Sequence, residues 1–146
     1  MVKVARRSLF ILHAFVGIGA LAGGLAAITN PEEPLGVTVD ALKNSPFENF
    51  LIPGIILFKI IGLGNILSAT TLALNSKFQG YISSVFSWAL VIWIVVQCIM
   101  LEDIVPLHII FFIIGLVEAI ISTGILFEQR LFPADFILNI LAREQK

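Results

Sequence analysis

Four apolar runs dominate this chain, at about residues 8–29, 51–74, 81–101 and 108–127, and each meets the roughly 20 residues that a helix needs to cross a hydrocarbon core. In lipid a spanning segment must satisfy its own backbone hydrogen bonds, so runs of this length are read as helices. They predict an all-α protein: an integral membrane four-helix bundle in one domain covering residues 1–146.

Composition agrees with that solvent. Hydrophobic residues make up 58% of the chain, charged residues 13%, and mean hydropathy is +1.01, whereas a soluble domain carries about 25% charged residues. A net charge of −1 argues against nucleic acid as a partner, since that calls for a basic patch. Cys98 is the single cysteine, so an intrachain disulfide, a CxxC redox centre and a thiolate-rich metal site are all excluded. The first run follows Lys3, Arg6 and Arg7 but exceeds the 7–15 residues of a signal-peptide core, and LAAITNPEE is a poor cleavage site. It reads as a retained helix.

Basic residues set the expected orientation, because they are held on the cytoplasmic side during insertion. Lys3, Arg6, Arg7, Lys77, Arg130, Arg143 and Lys146 fall on one side and Lys43 alone on the other, which places both termini in the cytoplasm. The opposite side carries Glu32, Glu33, Asp40, Glu48, Glu102 and Asp103.

The one long connection joins the first two runs. Ser45, Pro46 and Glu48 read as a capping box with proline at the first helical position, so a short outer interfacial helix is expected at residues 46–52, with Phe47 and Phe50 at headgroup level. Pro53 should bend the chain where it enters the second span. The loop is then either a lid over the outer face or a simple elbow. After the fourth span, Phe132 and Pro133 interrupt the helix, and about 133–146 reads as a cytoplasmic amphipathic helix that lies on the interface or docks on a partner.

Small residues let membrane helices approach. His13, Gly17, Ala20, Gly24 and Ala27 lie within about 80° of one another at 3.6 residues per turn, so this face of the first span should pack against protein. Gly19 and Gly23 add a GxxxG on an adjoining face. On the third span, Ser83, Ser87, Leu90, Ile94 and Gln97 form an inward stripe.

Two charges fall inside the runs. Lys59 and Glu118 lie at depths of about 12 and 15 Å from the outer surface at 1.5 Å per residue. A lone charge there costs about 2.5–3.5 kcal/mol on insertion scales, which drives such groups to pair or to meet internal water. The expectation is a Lys59–Glu118 pair, with Ser122 and Gln97 as neighbours. It is either a structural ion pair or the polar centre of a ligand or proton site, and Lys59 has the further option of snorkelling. His13 and His108 are assigned to opposite ends, so they share neither haem nor metal; packed or interfacial roles fit each. Trp88, Trp93 and Cys98 read as space-filling, and Gly62, Gly64 and Asn65 follow no strand and make no dinucleotide fingerprint. No cofactor is expected.

FENFLIPGIILFKIIGLGNILSATTLAL, residues 47–74, resembles the second span of small four-helix bacterial membrane proteins: an acidic, aromatic lead-in, Pro-Gly, then an apolar run with Leu-Gly. More loosely, the layout is similar to the DoxX-like proteins, some of which associate with membrane redox complexes. The resemblance implies a four-helix bundle in a bacterial inner membrane and carries no catalytic residue. Two functions are expected to compete: binding or transport of a small amphipathic molecule at an intramembrane polar site, and a non-catalytic subunit or assembly partner, homo-oligomeric or within a larger membrane complex. No nucleophile with a base and no paired carboxylates can be assembled, so an enzyme ranks third.

Overall fold

The computed structural model describes residues 2–128 and Ile140; apart from Ile140, the tail expected at 133–146 lies outside these residues. The described chain is helical. Four helices are long and apolar enough to cross a membrane: α1 (Val2–Thr29), α2 (Leu51–Ala73), α3 (Gln79–Leu101) and α4 (Pro106–Glu128). Each packs mainly on its neighbours in a ring, α1 on α2, α2 on α3, α3 on α4 and α4 on α1. This is the up-down-up-down arrangement that short connections favour. The outer faces stay apolar, with Ile18, Ile92, Ile99, Ile113 and Ile120 all exposed, as lipid-facing surfaces require.

Close approach of α1 and α2 follows from glycine. A Cβ on Gly24 would lie 2.6 Å from the Phe58 backbone nitrogen, one on Gly54 2.6 Å from Ala27 Cβ, and one on Gly17 2.7 Å from Ile66 Cδ1. Gly17, Ala20, Gly24 and Ala27 are buried, and the first, third and fourth of them abut α2 within this chain.

α2 is not a uniform helix. Its middle, Leu57–Leu63, is a π-helix between α-helical Leu51–Ile56 and Gly64–Ala73. Widened turns of this kind hold an extra residue relative to the i→i+4 pattern, so a wheel drawn at 100° per residue misplaces one half of α2 relative to the other.

The long loop corrects the expected outer helix. Residues 46–50 are not helical, and α2 begins at Leu51. The Ser45 hydroxyl accepts from the Phe47 N–H at 3.2 Å, a local turn that competes with a helical cap. Asn49 Oδ1 accepts from the Leu51 N–H at 3.1 Å. Pro53 therefore falls in the first turn of α2, where a missing N–H costs nothing. Phe50 is buried with Ala27, Leu42 and Met100, and Phe47 packs against them, so neither phenylalanine lies free at the interface. Two 3-10 turns, Pro34–Gly36 and Val39–Leu42, fold the loop over the bundle end. It is tied there by Phe50 N–H donating to Pro31 O at 2.9 Å and by Asn44 Nδ2 donating to Glu102 Oε2 at 2.7 Å. That second bond holds Glu102, which closes α3 in the left-handed region at φ 49°, a conformation uncommon outside glycine.

Candidate functional site

The bundle interior is layered along its axis. Nearest the loop, a cavity of about 430 Å³ lies between the helices under Pro34, Leu35 and Val37. Its wall is apolar, with Gly19, Ala20 and Gly23 of α1 facing Trp93 and Ile94 of α3 and Phe111 of α4. The polar groups at its loop-side rim are Gln97, Asp103 and His108. Gly19 lines the cavity and is also exposed, with Phe111 of α4 beside it. A Cβ on Gly19 or Gly23 would meet only ordinary contacts, with Phe111 at 3.7 Å and with Leu57 at 3.5 Å.

Val16, Ile61 and Leu90, each at most 2% exposed, form the cavity floor. One helical turn beyond each stands a polar residue: His13 on α1, Asn65 on α2 and Ser87 on α3. Glu118 stands one turn beyond Gly115 on α4. Measured at 1.5 Å per residue, His13 is about 16 Å along α1 from Val2, Asn65 about 12 Å from Ala73 and Glu118 about 15 Å from Glu128. They share one depth, as do their burials: His13, Asn65, Ser87 and Glu118 are fully buried, with Ser68, Ser83 and Ser122 buried slightly nearer the terminal end. Leu9, Leu72 and Ile125 close the bundle beneath them.

Geometry fixes the histidine. Asn65 Nδ2 donates to Ile61 O at 2.8 Å, which turns its Oδ1 toward His13. His13 Nδ1 lies 2.6 Å from that oxygen, and an amide oxygen only accepts, so Nδ1 carries the hydrogen. Glu118 Oε1 lies 3.4 Å from the same nitrogen. His13 Nε2, both Glu118 oxygens and Ser83 Oγ have no hydrogen-bond partner. Three serines in this layer turn back on their own helices: Ser87 donates to Ser83 O, Ser68 to Gly64 O and Ser122 to Ala119 O. Because backbone carbonyls absorb these donors, the layer is rich in acceptors.

The structure does not bring Lys59 and Glu118 together. Lys59 is exposed and sits in the π-helical turn of α2, on the surface that faces lipid, while Glu118 is sealed inside against His13. Among the described residues the ion-pair contact is His13–Glu118. Ser122 is buried one turn from Glu118, whereas Gln97 is half-buried and belongs to the cavity, on the far side of the Leu90 floor. Trp88 faces outward, half exposed, and Trp93 is in the core. His13 lies on the packed face expected of the first span but deeper than the end expected for it: α1 begins at Val2, which carries His13 up to the level of Glu118. The signal was a polar residue in each of three apolar runs, at matching distances from the helix ends that bear the N-terminus. Groups of three or more His, Cys, Asp or Glu able to hold a metal are absent among the described residues.

The chain matches no family model, and no curated protein and no solved structure is significantly similar to it.

Proposed function

We propose that this multi-pass protein binds a small amphipathic molecule drawn from the bilayer, its apolar part in the cavity between Gly19, Gly23 and Trp93 and its polar part at the rim beside Gln97, Asp103 and His108. The observation that carries the reading is the cavity itself. It is apolar, has a few polar groups at one end, lies within the roughly 300–1,000 Å³ common for ligand sites, and has the exposed Gly19 in its wall. The Lys and Arg distribution supports an orientation with both termini in the cytoplasm and the cavity near the outer surface. Lys3, Arg6, Arg7 and Lys77 stand at one end of the described bundle, and Lys43 with six acids at the other.

The alternative, a non-catalytic subunit of a bacterial inner-membrane complex as the DoxX-like layout implies, has less to rest on. The α1 small-residue stripe that offered a contact surface is occupied by α2 of the same chain. Native purification followed by mass spectrometry of the organic extract tests the choice. A stoichiometric amphiphile that is lost in Gly19→Leu and Gly23→Leu supports ligand binding; an empty protein that co-purifies with a second subunit overturns it.

A further inference from the structure

We propose that His13 and Glu118, with Asn65 holding the imidazole, form an intramembrane proton-binding site whose occupant is one exchangeable proton. The inference stands apart from the identity of the cavity ligand.

It begins from charge. An imidazolium beside a carboxylate and an imidazole beside a carboxylic acid have the same net charge of zero; both contain one proton beyond the hydrogen that Nδ1 gives to Asn65. Removing that proton leaves a net negative charge among fully buried side chains, and adding another leaves a net positive one, each costly in a low-dielectric interior. The pair is therefore a two-state proton holder, its two groups titrating as a unit.

The surroundings favour a proton over an organic cation or a metal ion. The layer presents surplus acceptors, His13 Nε2 and both Glu118 oxygens, with Ser83 Oγ also unpartnered. The Ser83 hydroxyl can donate to only one of them, and acceptors in excess of donors call for something that donates. The cavity ends one turn away at Val16, Ile61 and Leu90, and Leu9, Leu72 and Ile125 seal the other side, which excludes an amine or organic cation. A metal ion would find one histidine and one carboxylate, short of three such ligands.

Among the described residues no other ion-pair contact is made with the pair. On α1, Arg6 lies two turns toward the terminus and donates to Leu72 O at 3.2 Å. α2 presents the neutral Asn65, with Lys59 on its outer surface. On α3, Tyr81 and Cys98 lie toward opposite ends of the helix, and on α4, His108 and Glu128 lie near its two ends. The proton is thus set by His13 and Glu118 together.

The chain has two histidines, so His108→Gln leaves His13 as the sole imidazole. In lipid nanodiscs, 15N-histidine spectra of that protein should show the Nδ1–H tautomer, and its titration should coincide with a change in the carboxylic C=O infrared band of Glu118. Adding Glu118→Gln should remove the band and change the proton affinity of His13 about tenfold or more, one pH unit in its transition. Should that variant not fold, His13→Asn gives the converse reading through the C=O band, which should then titrate at a different pH. A His13 transition unmoved by Glu118→Gln, a Glu118 band unmoved by His13→Asn, or separate transitions for the two groups in the parent protein overturns the proposal.

Discussion

The His13 imidazole and the Glu118 carboxyl stand 3.4 Å apart with neither exposed to solvent, joined from α1 to α4 across the bundle interior. Removing one member strands the other without its partner, which costs about 3–5 kcal/mol where a buried charge is left uncompensated. His13→Asn and Glu118→Gln should each destabilise, and the double variant should lose less than the sum by about 0.5–3 kcal/mol. Lys59→Met should lie within about 0.5 kcal/mol of the parent, as outward-facing substitutions do, and should add to Glu118→Gln without coupling. Thermal unfolding in detergent gives all the values needed. Coupling of Glu118 to Lys59 and not to His13 would restore the pairing expected from depth alone.

Asn65 is the support for this contact. Its amide joins Ile61 O to His13 Nδ1, and Asn65→Leu removes the 2.6 Å acceptor of the buried ring N–H and leaves it only Glu118 Oε1 at 3.4 Å, at a cost of about 1–3 kcal/mol. Asn65→Asp keeps an acceptor and adds a second carboxylate beside Glu118. The leucine variant should melt lower than the parent and should lose the single Nδ1–H tautomer in histidine spectra. Retention of that tautomer would show that something other than Asn65 orients the ring.

The glycines of α1 separate packing from binding. Gly24→Leu must displace the Phe58 backbone, and overpacking of this kind costs about 1–3 kcal/mol or more. At Gly19 a Cβ makes only an ordinary contact with Phe111, at 3.7 Å, beside the cavity. Melting temperature should therefore fall for Gly24→Leu and hold for Gly19→Leu, while the amount of co-purified amphiphile should fall for Gly19→Leu. A drop in stability equal for the two would mean that the cavity is closed in the membrane.

Orientation has its own test. Leu35 in the long loop is 82% exposed, and Leu35→Cys in a Cys98→Ser background should react with an impermeant maleimide in intact cells. Labelling only after the membrane is permeabilised would reverse the sidedness.

Spans were legible because a run of apolar residues and the bilayer thickness are one constraint. Glu118 was legible as a polar group at mid-membrane for the same reason. Its neighbour was not, since depth depends on where a helix starts and α1 extends six residues before its apolar run. Charge complementarity pointed to Lys59, but a lysine has a long stem and can stay on the lipid face, whereas His13 and Asn65 have short side chains that pair only where the backbones already meet. The loop misled through Ser45, whose hydroxyl serves a local turn at Phe47 as readily as a helix cap.

The π-helical turn, which no apolar pattern announces, yields the last prediction. If Leu57–Leu63 carries one residue more than an α-helix of the same rise, deleting one outward-facing residue there converts the turn to α and leaves the flanks in register. Gly54 stays against Ala27, and Asn65 stays against His13. Deletion of Ile60, which is 49% exposed, should thus be tolerated, with stability close to the parent. Deletion of Leu67, equally exposed but within the α-helical part of α2, turns everything after it by about 100°; it carries Ser68 and Leu72 out of the core and should abolish folding. Melting curves of the two deletions decide it. Equal damage from both would mean that the widened turn is required for its own sake, by the close packing of Gly62 on Leu21, and is not an insertion that α2 merely accommodates.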